Sequence, residues 1–108
     1  MTSEIFPTRP FPFENGEFPH DLGAVVMKTV LEGTLPALQV VHTGENRWAI
    51  ADGINDPNGI DACEVAHIWH VINQDPSLRP LSHLPIGFQA DREAPGEPWT
   101  VTKANSLD

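Results

Sequence analysis

The chain of 108 residues is 40% hydrophobic, with three Trp, five Phe and no Tyr, enough apolar content for one core without metal or disulfide staples. Fifteen acidic residues stand against six basic ones, a formal charge of −9, which disfavours nucleic acid and anionic lipid as direct partners. The same charge would attract a basic protein, although acidity also serves solubility alone.

Residues 1–20 are distinct from the rest. Pro7, Pro10, Pro12 and Pro19 alternate with Phe6, Phe11, Phe13 and Phe18, a proline density that excludes helix and regular sheet and leaves an extended arm. Four phenylalanines are costly to leave in water, so the arm is expected to lie along the domain. The alternative is a partner-binding arm, and Pro7-Thr-Arg-Pro10 is its one short Pro-x-x-Pro match.

The next segments read as strands. Ala24–Leu31 is rich in β-branched residues and ends at Glu32-Gly33. Leu35–Val41, a turn at Thr43–Asn46 and Arg47–Ala51 follow, and connections this short imply an antiparallel meander. Asp52–Gly59 is a loop. Asp61–Asp75 predicts the one long helix, because Val65, Ile68, Trp69 and Ile72 recur at i, i+3, i+4 and i+7. Asp61 and Glu64 have capping-box spacing, and Asp75-Pro76 marks the stop. Pro76–Leu84 suggests a short second helix, limited by Pro80. Gly87–Arg92 and Pro98–Thr102 read as strands around a turn at Ala94–Glu97, with a loose tail from Lys103 to Asp108. The expectation is a single α+β domain over residues 1–108, with about five antiparallel strands packed on one main helix.

Cys63 stands alone, so no intrachain disulfide forms, which fits a reducing cytoplasm. The first residues lack the basic and apolar pattern of a signal peptide, and no apolar run approaches the ~20 residues that span a bilayer. A soluble cytoplasmic protein is expected.

Candidate chemistry is sparse. The acidic loop before the helix resembles a calcium loop, but placing Gly59 at its sixth position puts Ile54 first and Val65 twelfth, and neither is a ligand. On a helix, Cys63, His67 and His70 would share one face at i, i+4 and i+7, spacing that reaches toward one zinc ion or an acid–base site. A structural zinc site needs four ligands, and a solvated or partner-facing helix side explains the same residues. The phosphate-loop, nucleophile-elbow and His-Glu-x-x-His motifs are absent from the sequence. No catalytic residue or cofactor is assigned. Trp48, Trp69 and Trp99 are read as core or edge anchors.

Four short motifs occur in order: Gly44-Glu-Asn-Arg-Trp48-Ala-Ile-Ala-Asp52-Gly53, Asp75-Pro-Ser-Leu78, Leu84-Pro-Ile-Gly87 and Asp91-Arg-Glu93. Together they resemble a family of small bacterial domains of unknown biochemical activity, classed among the immunity proteins of polymorphic toxin systems. The resemblance covers roughly residues 24–102. It departs from the family pattern in having Arg47 rather than Gly before the tryptophan and in the Asp52-Gly53 order of the acidic turn. It implies a protein that binds a cognate toxin and blocks its active site or substrate access, and it carries no catalytic residues. On that implication, Glu45, Asp52 and Asp56 are candidate contacts for a basic toxin, with Trp48 as an aromatic anchor. The other reading of Trp48 is a strand residue packed on the helix.

Overall fold

The computed structural model describes Phe6, residues 8–56 and residues 59–104. Pro7, Asn58 and the tail from residue 105 onward, which entered the sequence reading, lie outside the described residues. In chain order the elements are β1 (Gly23–Met27), α1 (Lys28–Leu31), β2 (Gln39–His42), β3 (Trp48–Ala51), β4 (Cys63–His67) and α2 (Ile68–Gln74). A 3-10 helix (Pro76–His83), β5 (Phe88–Asp91) and β6 (Thr100–Lys103) follow. The α+β class holds, with six strands among the described residues forming one sheet ordered β4-β1-β3-β2-β5-β6.

The sheet is mixed rather than a meander. β1 and β3 pair in parallel, with Val25 opposite Ala49, while every other neighbouring pair is antiparallel. The cause lies at Met27. There the predicted long strand stops and α1 turns the chain away, with the Lys28 amide donating to Ala62 and the Glu32 amide to Lys28. After that excursion β2 returns one position too far out, and the β2–β3 hairpin inserts β3 between it and β1.

The predicted helix over Asp61–Asp75 is only half a helix. Cys63–His67 is an edge strand paired along its length with β1, and the helix begins at Ile68. Asp61 is no cap. Its φ of 59° closes a turn, in the left-handed region that Asp tolerates better than most residues, and Glu64 lies on the strand. Val65, read as part of the buried helical stripe, is 60% exposed. The true helical face is Ile68, Val71 and Ile72, all buried, at i, i+3 and i+4. Ladder pairing to β1 has overridden the helical periodicity at Val65, while Ile68, Trp69 and Ile72 keep it within α2.

Strand alternation then divides the sheet into two faces. One row runs Val26, Ile50, Val40 and Ala90 across β1, β3, β2 and β5, and all four are buried with the α2 residues and Leu78 and Leu81 in one core. The opposite row, Val65, Val25, Ala49 and Val41, is more open, with Val25 42% exposed. Each fully buried aliphatic side chain contributes roughly 1.5–3 kcal/mol, so the helical side of the sheet carries most of the stability.

The aromatic arm closes the core at the hairpin end. Phe13 and Phe18 are buried and Phe11 packs beside them. Their rings surround Trp48, with centroids 6.1 Å away for Phe13 and 4.9 Å for Phe18. The Phe6 amide donates to Asp21 and its carbonyl accepts from Gly23. Trp69 Nε1 donates to the Phe18 carbonyl at 2.6 Å, tying the arm to α2.

Candidate functional site

The four residues first considered for partner contact separate into two environments. Glu45 is exposed at the tip of the β2–β3 hairpin. The turn beneath it is closed by Asn46, whose φ is 62°, with the Asn46 amide donating to the Thr43 carbonyl. Asn46 also reaches inward: its Nδ2 donates to the Arg9 carbonyl at 2.8 Å, and its Oδ1 lies 2.6 Å from His42 Nε2. Asp56 is exposed in the loop after β3.

Trp48 and Asp52 are inside. Trp48 is 1% exposed, stacked on the buried His42 with ring centroids 3.9 Å apart and 16° between planes. A side chain enclosed in this way has no surface with which to anchor a partner, so its part is the packed one. Its Nε1 has no hydrogen-bond partner among the described residues. Asp52 is fully buried and accepts from Thr29 Oγ1 at 2.7 Å, from the amides of Ile54 and Asn55, and from Asn55 Nδ2. Burial alone would raise its pKa, but these donors outweigh it and hold the carboxyl at about 2. Asp52 therefore shapes the acidic loop from within rather than meeting a partner. Gly53 follows with a φ of 73°, and a Cβ there would stand 3.1 Å from Leu38 Cβ, so the Asp-Gly order of this turn has a steric reason.

The Cys63, His67 and His70 grouping loses its premise. Cys63 and His67 share a strand rather than a helix turn, and four residues of strand span about 13 Å, too far for two ligands of one ion. Among the described residues no group of three or more His, Cys, Asp or Glu side chains is arranged to hold a metal. Burial pushes the Cys63 thiol upward, with a further push from the Asp52 carboxylate, which lowers its thiolate fraction.

What the strand does create is a groove that sequence reasoning missed. The end of α1, the start of α2 and β4 border an open cleft of about 450 Å³ lined by Leu31, Glu32, Glu64, Val65, Ala66, His67 and His70. Glu32 and Glu64 are exposed. The only sequence signal for it was the Glu64-Val65-Ala66 alternation, masked by the helical stripe that runs through Val65. A larger recess of about 740 Å³ lies between the arm and α2, lined by Arg9, Phe13, Glu17, His20, Trp69 and Arg79 among others. Its two arginines are engaged, Arg9 by Asp21 and Arg79 by Glu17, and the Arg79 guanidinium stands 5.5 Å from the centre of the Trp69 ring.

The later motifs converge on a structural clip. Arg92 is buried; its guanidinium donates to the Ala37 carbonyl, to Ser77 Oγ and to Asp75 Oδ2, and lies 4.3 Å from the centre of the Trp99 ring. Burial would raise Asp75, yet the bonds from Ser77 and Arg92 hold it below its ordinary value. The Gly87 amide donates to the His42 carbonyl, and His42 Nδ1 lies 2.8 Å from the Leu84 carbonyl. The Asp-Pro-Ser, Leu-Pro-Ile-Gly and Asp-Arg-Glu segments thus hold the 3-10 helix and β5 to the hairpin. No family model, curated protein or solved structure matches this chain.

Proposed function

We propose that this protein is a toxin-neutralising, immunity-type binding protein that captures a basic partner and blocks its active site or substrate access. The observation that carries the reading is the disposition of charge. Of the six basic residues in a chain of formal charge −9, Arg9, Arg79 and Arg92 are each tied to a carboxylate of the same chain. Glu14, Glu32, Glu45, Asp61, Glu64 and Glu97 are exposed. Such a surface accelerates encounter with a positively charged partner and disfavours acidic competitors. The motif resemblance to immunity domains supports the same reading from the sequence side. A basic partner suits an enzyme that must hold a polyanionic substrate, so a nucleic-acid-degrading toxin is the class proposed.

The test is co-expression with the product of the adjacent gene. The account expects a one-to-one complex whose association rate falls steeply with added salt. A complex that forms equally fast at low and high salt would remove charge as its basis.

A further inference from the structure

We infer that β6 is a self-association edge, where two copies of this chain pair their Thr100–Lys103 strands antiparallel about a two-fold axis and join two sheets into one. The inference stands apart from the toxin reading, because the backbone and charge around β6 carry it.

β6 ends the sheet order, and all of its residues are exposed. Its register sets Phe88 opposite Lys103 and Ala90 opposite Val101, and just beyond it the Ala104 amide donates to the Gly87 carbonyl. In an antiparallel ladder, residues alternate between bonding the neighbouring strand and pointing away from it. Thr100 and Thr102 therefore bond to β5, while the amides and carbonyls of Val101 and Lys103 point outward. Among the described residues no strand pairs with that outer side. One more strand satisfies an edge of this kind, and it would also cover the Val101 side chain, which is 49% exposed.

Charge and symmetry select a second copy as that strand, because the two ends of β6 differ in sign. At its start, Asp91, Glu93 and Glu97 border one cleft with Thr100, and Arg92 in the same cleft is already bound to Asp75. At its other end stands the exposed Lys103, which joins none of the ion pairs among the described residues. Antiparallel pairing turns one strand end for end, so each Lys103 comes to the acidic end of the other copy, as a two-fold interface requires. An axis through Val101 sets Val101 against itself, Thr100 against Thr102, and Lys103 against Trp99, close in the chain to Glu97. Cross-strand threonine pairs and opposite charges stabilise adjoining strands. Parallel pairing would instead set Lys103 beside Lys103. The formal charge of −9 opposes association, but fields fade over about 8 Å at physiological salt, so the groups beside the edge decide.

Sedimentation of the full chain between about 10 μM and about 1 mM reads its mass, and amide hydrogen exchange over the same range reads the contact. The inference requires a monomer–dimer equilibrium in which the amides of Val101 and Lys103 exchange more slowly as concentration rises. Those of Thr100 and Thr102, already bonded to β5, should stay as they were. Val101→Pro removes an outward donor and leaves the ladder to β5 intact, a position where an edge strand accepts proline, and it should abolish the dimer. Lys103→Glu should weaken the dimer by about tenfold or more. The inference is overturned by a chain that stays monomeric across that range, by oligomers that grow beyond the dimer, or by a dimer without the added protection at Val101 and Lys103. Native-strength dimers of either folded variant overturn it equally. If Val101→Pro does not fold, Lys103→Glu decides alone, since its side chain is exposed.

Discussion

Among the described residues Asp52 has no charged hydrogen-bond partner, yet its carboxylate is the hub of the loop after β3. Four donors converge on it among the described residues, and without it Thr29, two loop amides and the Asn55 side chain lose the acceptor that the buried carboxylate supplies. Asp52→Ala should therefore cost about 3 kcal/mol in urea unfolding. The pH dependence follows from its sign. The folded carboxyl titrates at about 2, below the ~3.9 of an unfolded Asp, so the native state favours the ionised form. Its contribution is complete above about pH 4 and is lost as pH falls through about 2. Denaturant unfolding between pH 5 and pH 2 should show a steeper loss for the native chain than for Asp52→Asn, because Asp21 and Asp75, also held low, titrate in both. Equal slopes would mean that the loop knot does not form. Trp48 carries the other large cost at this scale: Trp48→Ala should lose about 3–5 kcal/mol as its aromatic cage empties. Trp48→Phe should lose much less, since it also removes an indole N–H that lacks a partner among the described residues.

At the scale of elements, the decisive segment is residues 63–74, where one hydrophobic pattern serves a strand and then a helix. Two substitutions separate the folds. Val65→Thr should change stability by under about 0.5 kcal/mol, because the side chain is on the open edge, whereas Ile68→Ala should cost about 2–5 kcal/mol in the core. A single helix from Asp61 would bury both and make both costly. Five of the six strands among the described residues were legible from β-branched runs and turn residues, with ends shifted by up to four positions, whereas β4 was read as helix and α1 as the end of β1. The parallel β1–β3 pairing was not legible, since it depends on where α1 sends the chain, and no residue pattern encodes that. Nor could the sequence separate the exposed Glu45 from the buried Asp52. Both are acids near a Gly turn, and only the packing of Thr29 and Asn55 distinguishes them. The Arg92 clip was visible as motifs but not as a clip, because its partners Ala37, Asp75 and Ser77 come from distant segments. Arg92→Met should cost about 3 kcal/mol, since it leaves the buried Ala37 carbonyl without its donor and Asp75 without its counter-charge, held only by Ser77, and loss of Trp99 fluorescence perturbation by the guanidinium would report the same break.

Across the described residues, one side of the sheet is closed by helices and aromatic rings, while the other carries the exposed Val25 and Val65. Phe13 and Phe18 are part of the core, so a chain lacking residues 1–20 should lose its cooperative thermal transition, which calorimetry reads directly. Among the described residues no helix is long and apolar enough to cross a membrane. Glu45 at the hairpin tip and Glu32 and Glu64 beside the cleft are exposed carboxylates, a feature that suits the proposed cationic partner. If this protein neutralises the cationic protein it is proposed to hold, survival of a susceptible bacterium expressing the product of the adjacent gene, with and without this chain, reads that directly. The expected result is killing by that product alone and survival when both are expressed. Equal killing in both cultures, with this chain folded and abundant, would contradict it.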